Sequence, residues 1–137
     1  MAKKELAPDA ESRIKQCADE GGTDLDLRDL GLTELPHSGR ELRGLQSLQL
    51  DLNHLSTLPD WIAELKELHI LTMRNNAFPE VPEAIRGLPD LSILYIGANR
   101  IATLPDWIGD LQRLEYLGLE LNLLRSAPLE SRSAQAP

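Results

Sequence analysis

A fixed period of 23 residues constrains this chain more than any other feature. The window from Leu91 to Pro105 reads L-x-x-L-x-I-x-x-N-x-I-x-x-L-P, and sliding it by that period refills the same columns in both directions. Leu25, Leu48, Leu71, Leu94 and Leu117 share one column, and Leu27, Leu50, Met73, Ile96 and Leu119 share another two places on. A third column holds Leu35, Leu58, Val81, Leu104 and Ala127, each followed by proline. No insertion breaks the count. A unit this short cannot bury its own apolar side, so copies must stack on one another, and the chain should form a solenoid.

The period also divides the chain. Residues 1–8 have no pattern and read as a flexible arm. From residue 9 to 22 the pattern turns helical: Asp9 can cap, Ile14, Cys17 and Ala18 fall on one face, and Gly21-Gly22 stop the element. This helix should cap the apolar edge that the first repeat would otherwise leave in water. About five repeats follow from residue 23, so that 9–128 form the repeat domain, and 129–137 read as a disordered tail rich in Ser, Ala and Pro.

Within each repeat the strand-forming part is followed by a return segment, for example LPDWIAELKEL, with apolar residues three apart at Ile62, Leu65 and Leu68. Three residues per turn fits a 3₁₀ segment better than an amphipathic α-helix. The prolines at 59, 82 and 105 should start these segments, where a backbone N–H is not needed. Asn53, Asn76, Asn99 and Asn122 form a column with Leu30 at its head, and stacked amides there can serve the backbone of adjacent turns. Trp61 and Trp107 share a convex column; the expectation is that each indole covers the core edge while its N–H stays wet, the rival being a two-tryptophan contact patch. The fold class is therefore α/β: short parallel strands on a concave face, 3₁₀ or short helical turns on a convex face, and an N-terminal helical cap. If nothing covers the last repeat, Leu117, Leu119 and Leu124 sit at an open end, leaving the chain a monomer or letting it dimerise there.

Charge and composition exclude several functions. A net charge of −8 without clustered Lys and Arg argues against nucleic acid and in favour of a protein partner with a basic surface. The lone Cys17 allows no internal disulfide, no stretch is apolar enough for a membrane span, and no signal-peptide pattern opens the chain, so a cytoplasmic protein with no membrane partner is expected. His37, His54 and His69 fall in three different columns and cannot converge on a metal. Neither a phosphate loop, a nucleophile elbow nor a metal motif is present. The expectation is no catalytic residues, no cofactor and no enzyme.

Binding is then the remaining role. If Leu94 and Ile96 point inward, their neighbours point out onto the concave face, and the period gives three rows. They are Asp24, Ser47, Ile70, Ile93, Tyr116; Asp26, Gln49, Thr72, Tyr95, Gly118; and Arg28, Asp51, Arg74, Gly97, Glu120. The partner-binding residues expected from these rows are Asp24, Asp26, Asp51, Ile70, Thr72, Arg74, Ile93, Tyr95, Tyr116 and Glu120. Aspartates should attract a basic surface, and the isoleucines and tyrosines should anchor it.

The units with L-P-x-x-I-x-x-L-x-x-L at Leu58 to Leu68 and Leu104 to Leu114 resemble the leucine-rich repeats of intracellular Ras-suppressor-like proteins. The segment RIKQCADEGGTDLDLRDLGLTELP is similar to the start of repeat domains in Roco-type and small bacterial leucine-rich repeat proteins. The likeness runs from about Ser12 to Pro128 and implies a curved solenoid that binds other proteins. Leu30, Gly39 in an isoleucine column, and Ala127 depart from the pattern. The reading is a protein-protein interaction module, with an inhibitory or immunity protein that blocks an enzyme such as a toxin as its rival.

Overall fold

The computed structural model describes residues 9–124. The expected arm at 1–8, the tail at 129–137 and the last repeat column at Ala127 and Pro128 lie outside these residues.

Five three-residue strands form one parallel sheet in sequence order: β1 (Asp24–Asp26), β2 (Ser47–Gln49), β3 (Ile70–Thr72), β4 (Ile93–Tyr95) and β5 (Tyr116–Gly118). Leu25 pairs with Leu48, Leu48 with Leu71, Leu71 with Leu94 and Leu94 with Leu117, so the sequence column and the sheet register are the same thing. Past the strands the ladder continues, with the amide of Leu27 donating to Gln49 O and that of Leu50 to Thr72 O. The inward column is closed: Leu48, Leu50, Leu71, Met73, Leu94 and Ile96 are at most 2% exposed. Burying each such side chain contributes about 1.5–3 kcal/mol.

Four 3₁₀ segments, His37–Glu41, Asp60–Glu64, Glu83–Gly87 and Asp106–Asp110, carry the chain back behind the sheet. Each begins just after a proline whose carbonyl accepts from the amide three residues on, as Pro59 O does from Ile62. The next bond runs from Leu65 to Ile62 O and the next from Leu68 to Leu65 O, which is why the buried residues recur every third place.

The asparagine column works as expected. Asn99 Nδ2 donates to the carbonyls of Met73, Ile96 and Gly97, and its Oδ1 accepts from the Phe78 amide at 3.0 Å. One residue earlier the chain takes a left-handed turn at Asp29, Leu52, Asn75, Ala98 and Leu121, with φ of 54–63°. That turn column was not visible in the sequence, because it holds no glycine.

Helix α1 (Ala10–Glu20) caps the sheet. Asp9 Oδ1 accepts from the Ser12 amide at 2.9 Å, and this bond holds the Asp9 carboxyl below its ordinary value. Gly21 sits at φ 62°, its amide bonding to Ala18 O and that of Gly22 to Cys17 O, which closes the helix in a Schellman turn. Ala10, Ile14 and Cys17 are the buried positions; Ala18, expected on that face, is exposed. Arg13 Nη1 donates to Asp26 O, so the helix also occupies an edge carbonyl of β1. Burial, reinforced by Asp24 and Glu20, pushes the Cys17 thiol pKa up. At the other end Leu117, Leu119 and Leu124 are half-buried and Tyr116, Leu121 and Leu123 exposed.

Gly39 explains a departure from the repeat. It stands where Ile62, Ile85 and Ile108 stand in later units, and a Cβ there would lie 2.6 Å from Trp61 Cη2. The indole of the second repeat fills the space that the first repeat leaves empty. Trp61 is therefore 8% exposed, and its Nε1 is buried with no hydrogen-bond partner among the described residues, which corrects the expectation of a wet N–H. Trp107 has Ile85 at the same offset, finds no such vacancy, and stays half-buried against the core.

Candidate functional site

Because the strands are in register, the residues between the buried columns form straight rows across the sheet. All ten residues expected to bind lie in these rows, at the outward positions of strands or just past them. Asp24, Tyr116 and Glu120 are exposed, and Asp26, Asp51, Ile70, Thr72, Arg74, Ile93 and Tyr95 are half-buried. No group of histidines, cysteines or carboxylates among the described residues could hold a metal ion.

The first two strands carry a polar, acidic network. Arg28 clamps Asp26 with two hydrogen bonds of 2.9 Å, Nε to Oδ1 and Nη2 to Oδ2. That side-chain bond, chiefly, holds the Asp26 carboxyl below its usual range and pushes the Arg28 guanidinium up, with Asp51 and Asp24 adding attraction from farther away. Gln49 Nε2 donates to Asp24 Oδ1 at 2.9 Å and to Ser47 Oγ at 2.7 Å. Asp51 Oδ1 accepts from the backbone amide of Arg74 at 2.9 Å. Arg28, Ser47 and Gln49 thus bond to or beside the expected residues Asp24 and Asp26, although sequence reasoning left them out of the binding set; the signal was their place in the same rows.

The last three strands differ in kind. The Arg74 Cζ lies 4.3 Å from the centroid of the Tyr95 ring, and its Nε lies 3.8 Å from Glu120 Oε2. Stacking of this sort contributes about 0.5–1 kcal/mol at an exposed site. The ion pair is long, its two side chains are largely exposed, and it contributes little. Two glycines make the cluster possible: a Cβ on Gly118 would meet Tyr95 Cδ1 at 2.7 Å, and one on Gly97 would meet Glu120 Oε2 at 2.7 Å. Tyr95 and Glu120 lie down over these glycines instead of standing free. Nearby, Thr72 Oγ1 and Arg74 Nε are buried without a hydrogen-bond partner among the described residues. Ile70, Ile93 and Tyr116 remain as a continuous apolar run along one row.

Among the described residues, no helix is long and apolar enough to cross a membrane. The chain is similar to a leucine-rich repeat protein of Leptospira interrogans, with 31% identity and a TM-score of 0.77 over 85% of this chain and 30% of that one. It is also similar to a chain of the BIR3–SERK2 complex of Arabidopsis thaliana, at 32% identity and a TM-score of 0.66 over 77% of this chain and 60% of that one. A third likeness is to the plant peptide hormone receptor RGFR1 in complex with RGF2, at 28% identity and a TM-score of 0.62, over 75% of this chain and 17% of that one. The chain thus spans under two thirds of the length of each of these proteins. Among curated proteins none matches. The family model described as a leucine-rich repeat region matches residues 25–127. With the register, the asparagine ladder and the 3₁₀ returns already in place, that match settles the family: the chain belongs to the leucine-rich repeat proteins.

Proposed function

We propose that the chain is a protein-interaction module that takes its partner on the concave face of the sheet. The observation that carries this reading is the row Asp24, Ser47, Ile70, Ile93, Tyr116, in which charged, polar, aliphatic and aromatic side chains stand side by side on a rigid backbone. Rigid apolar anchors beside polar neighbours are what a specific interface uses. Two of the similar structures are themselves complexes, one of BIR3 with SERK2 and one of RGFR1 with RGF2, which supports a binding role for the fold. The reading includes a cytoplasmic setting, supported by the free thiol of Cys17.

The test begins with affinity purification of the partner from the native host. Tyr116→Ala and Ile93→Ser should then weaken binding by about 2 kcal/mol or more each if they are central anchors, while Lys66→Ala on the convex side leaves it unchanged. Loss of binding on Trp107→Ala with none on Tyr116→Ala would move the site to the convex face. If the purified partner is an enzyme that loses activity when bound, the module acts as an inhibitor.

A further inference from the structure

The tryptophan column builds a feature away from the concave face. Behind the sheet, where the 3₁₀ returns begin, Glu34, Thr57, Pro59 and Trp61 line one groove, and Glu80, Thr103, Pro105 and Trp107 line another. These are the same four columns, two repeats apart; in the repeat between, Thr57 interrupts the glutamate column and Ala84 the tryptophan column. The two copies differ in depth. Trp61 has sunk into the space over Gly39, and its groove has a volume of about 540 Å³. Trp107, with Ile85 in the place of Gly39, stays half-buried, and its groove has a volume of about 160 Å³. They differ in charge as well. Glu11, from α1, joins Glu34 in the lining of the deeper groove, and no Lys or Arg does. Neither carboxylate forms an ion pair among the described residues. Glu11 accepts only from Ser38 Oγ, at 2.6 Å, and Glu34 makes no hydrogen bond among these residues. In the shallower groove Arg86 already pairs with Glu83 at 3.1 Å.

That lining selects its occupant. An anion would be repelled, and a purely apolar group would cover the Glu34 carboxylate without giving it a partner. Glu11, Glu34 and His37 do not form a group that could hold a metal ion. An organic cation on an apolar stem meets all three conditions, because a guanidinium is weakly hydrated, stacks on flat rings and donates to carboxylates through several N–H groups. We infer that the deeper groove is a second binding site, separate from the concave face, and that it receives an arginine side chain of a protein partner. The carboxylates of Glu34 and Glu11 accept from the guanidinium, and Pro36, Pro59 and the edge of Trp61 pack along the methylenes. The shallower groove, where Glu80 is unpaired among the described residues, takes the same group less tightly.

The full chain labelled with ¹⁵N gives one indole N–H resonance from each of its two tryptophans, and Trp107→Phe assigns them. The probes are N-acetyl-arginine methylamide and its citrulline counterpart, in which a neutral urea replaces the guanidinium at nearly the same shape. The arginine compound should move the Trp61 indole resonance and the backbone amide of Thr57, and bind several-fold tighter than the citrulline compound. Raising the salt to about 0.5 M should erode that difference, because exposed charges are then screened over a few ångströms. Glu11→Gln with Glu34→Gln should abolish it in a protein whose spectrum stays dispersed, since both side chains are exposed. Equal affinities for the two compounds, an unmoved Trp61 resonance, or a preference that survives the double change overturns the inference. So does a shift of the Trp61 resonance in the free protein on Lys3→Gln with Lys4→Gln, because the groove would then be filled by the chain's own basic residues.

Discussion

Replacing Asn53 by Ala should cost more stability than replacing Asn99 by Ala, although both are buried members of one column. The difference lies in what each leaves behind. Without Asn99, the Phe78 amide loses its acceptor, but Met73 O keeps the Asn76 amide, Ile96 O keeps that of Asn122, and Gly97 O keeps the Asn75 backbone. One buried N–H is orphaned, at about 1–3 kcal/mol. Without Asn53, the amides of both Leu30 and Leu32 lose their acceptor, and Leu27 O loses its donor, because Leu30 stands where a preceding asparagine would have shared the work. Three groups at the low end of the same range give about 3–5 kcal/mol, a large part of the stability of a domain this size. Urea denaturation followed by circular dichroism measures both, with the slope m checked to be unchanged so that only stability is compared. An Asn53→Ala variant no less stable than Asn99→Ala would refute the reasoning, since it would mean that the column acts through side-chain packing and not through the backbone groups it serves.

Leu94→Asp puts a carboxylate at a site with no exposure and should abolish the native circular dichroism spectrum; a native melt would show the strand faces to be reversed. Leu52→Gly should raise stability by up to about 1 kcal/mol, because Leu52 pays for φ 62° with an exposed side chain, and a drop in the urea midpoint would count against strain at that column. Gly39→Ala should lower the melting temperature, since its Cβ meets the Trp61 ring, and the loss should largely vanish in the background Trp61→Ala. The Asp26 carboxyl is held below its unfolded value, so its contribution is whole above the ordinary aspartate range and is lost as pH falls through the depressed value; Asp26→Asn should flatten the fall in stability below about pH 4.

The fold was legible because a solenoid turns sequence columns into contacts between identical positions. Leu48 meets Leu71 and Leu71 meets Leu94 for the same reason that they line up in the sequence. What was not legible depends on contacts between different columns. Gly39 and Trp61 compensate each other in volume across two repeats, so the departure of Gly39 shows in its own column but its cause does not. The left-handed turn at Asp29, Leu52, Asn75, Ala98 and Leu121 is imposed by the stacked backbone, so no residue preference marks it. The candidate site was legible in its rows and less so in its side-chain directions: Tyr95 was expected to stand as an anchor, but Arg74 stacks on its ring. Gly97 and Gly118 were the available signal, since a glycine in an outward row leaves room for a neighbour to lie flat.

That last detail separates two kinds of residue on one face. Tyr116 is 53% exposed, so changing it should leave the protein as stable as before. Tyr95 has one neighbour in Arg74 and another in the open space above Gly118, and Arg74 in turn reaches Glu120 over Gly97. These three side chains contact one another over the two glycines. Tyr95→Ala therefore removes the ring on which the Arg74 guanidinium stacks, whereas Tyr116→Ala leaves the Arg74–Tyr95 contact as it was.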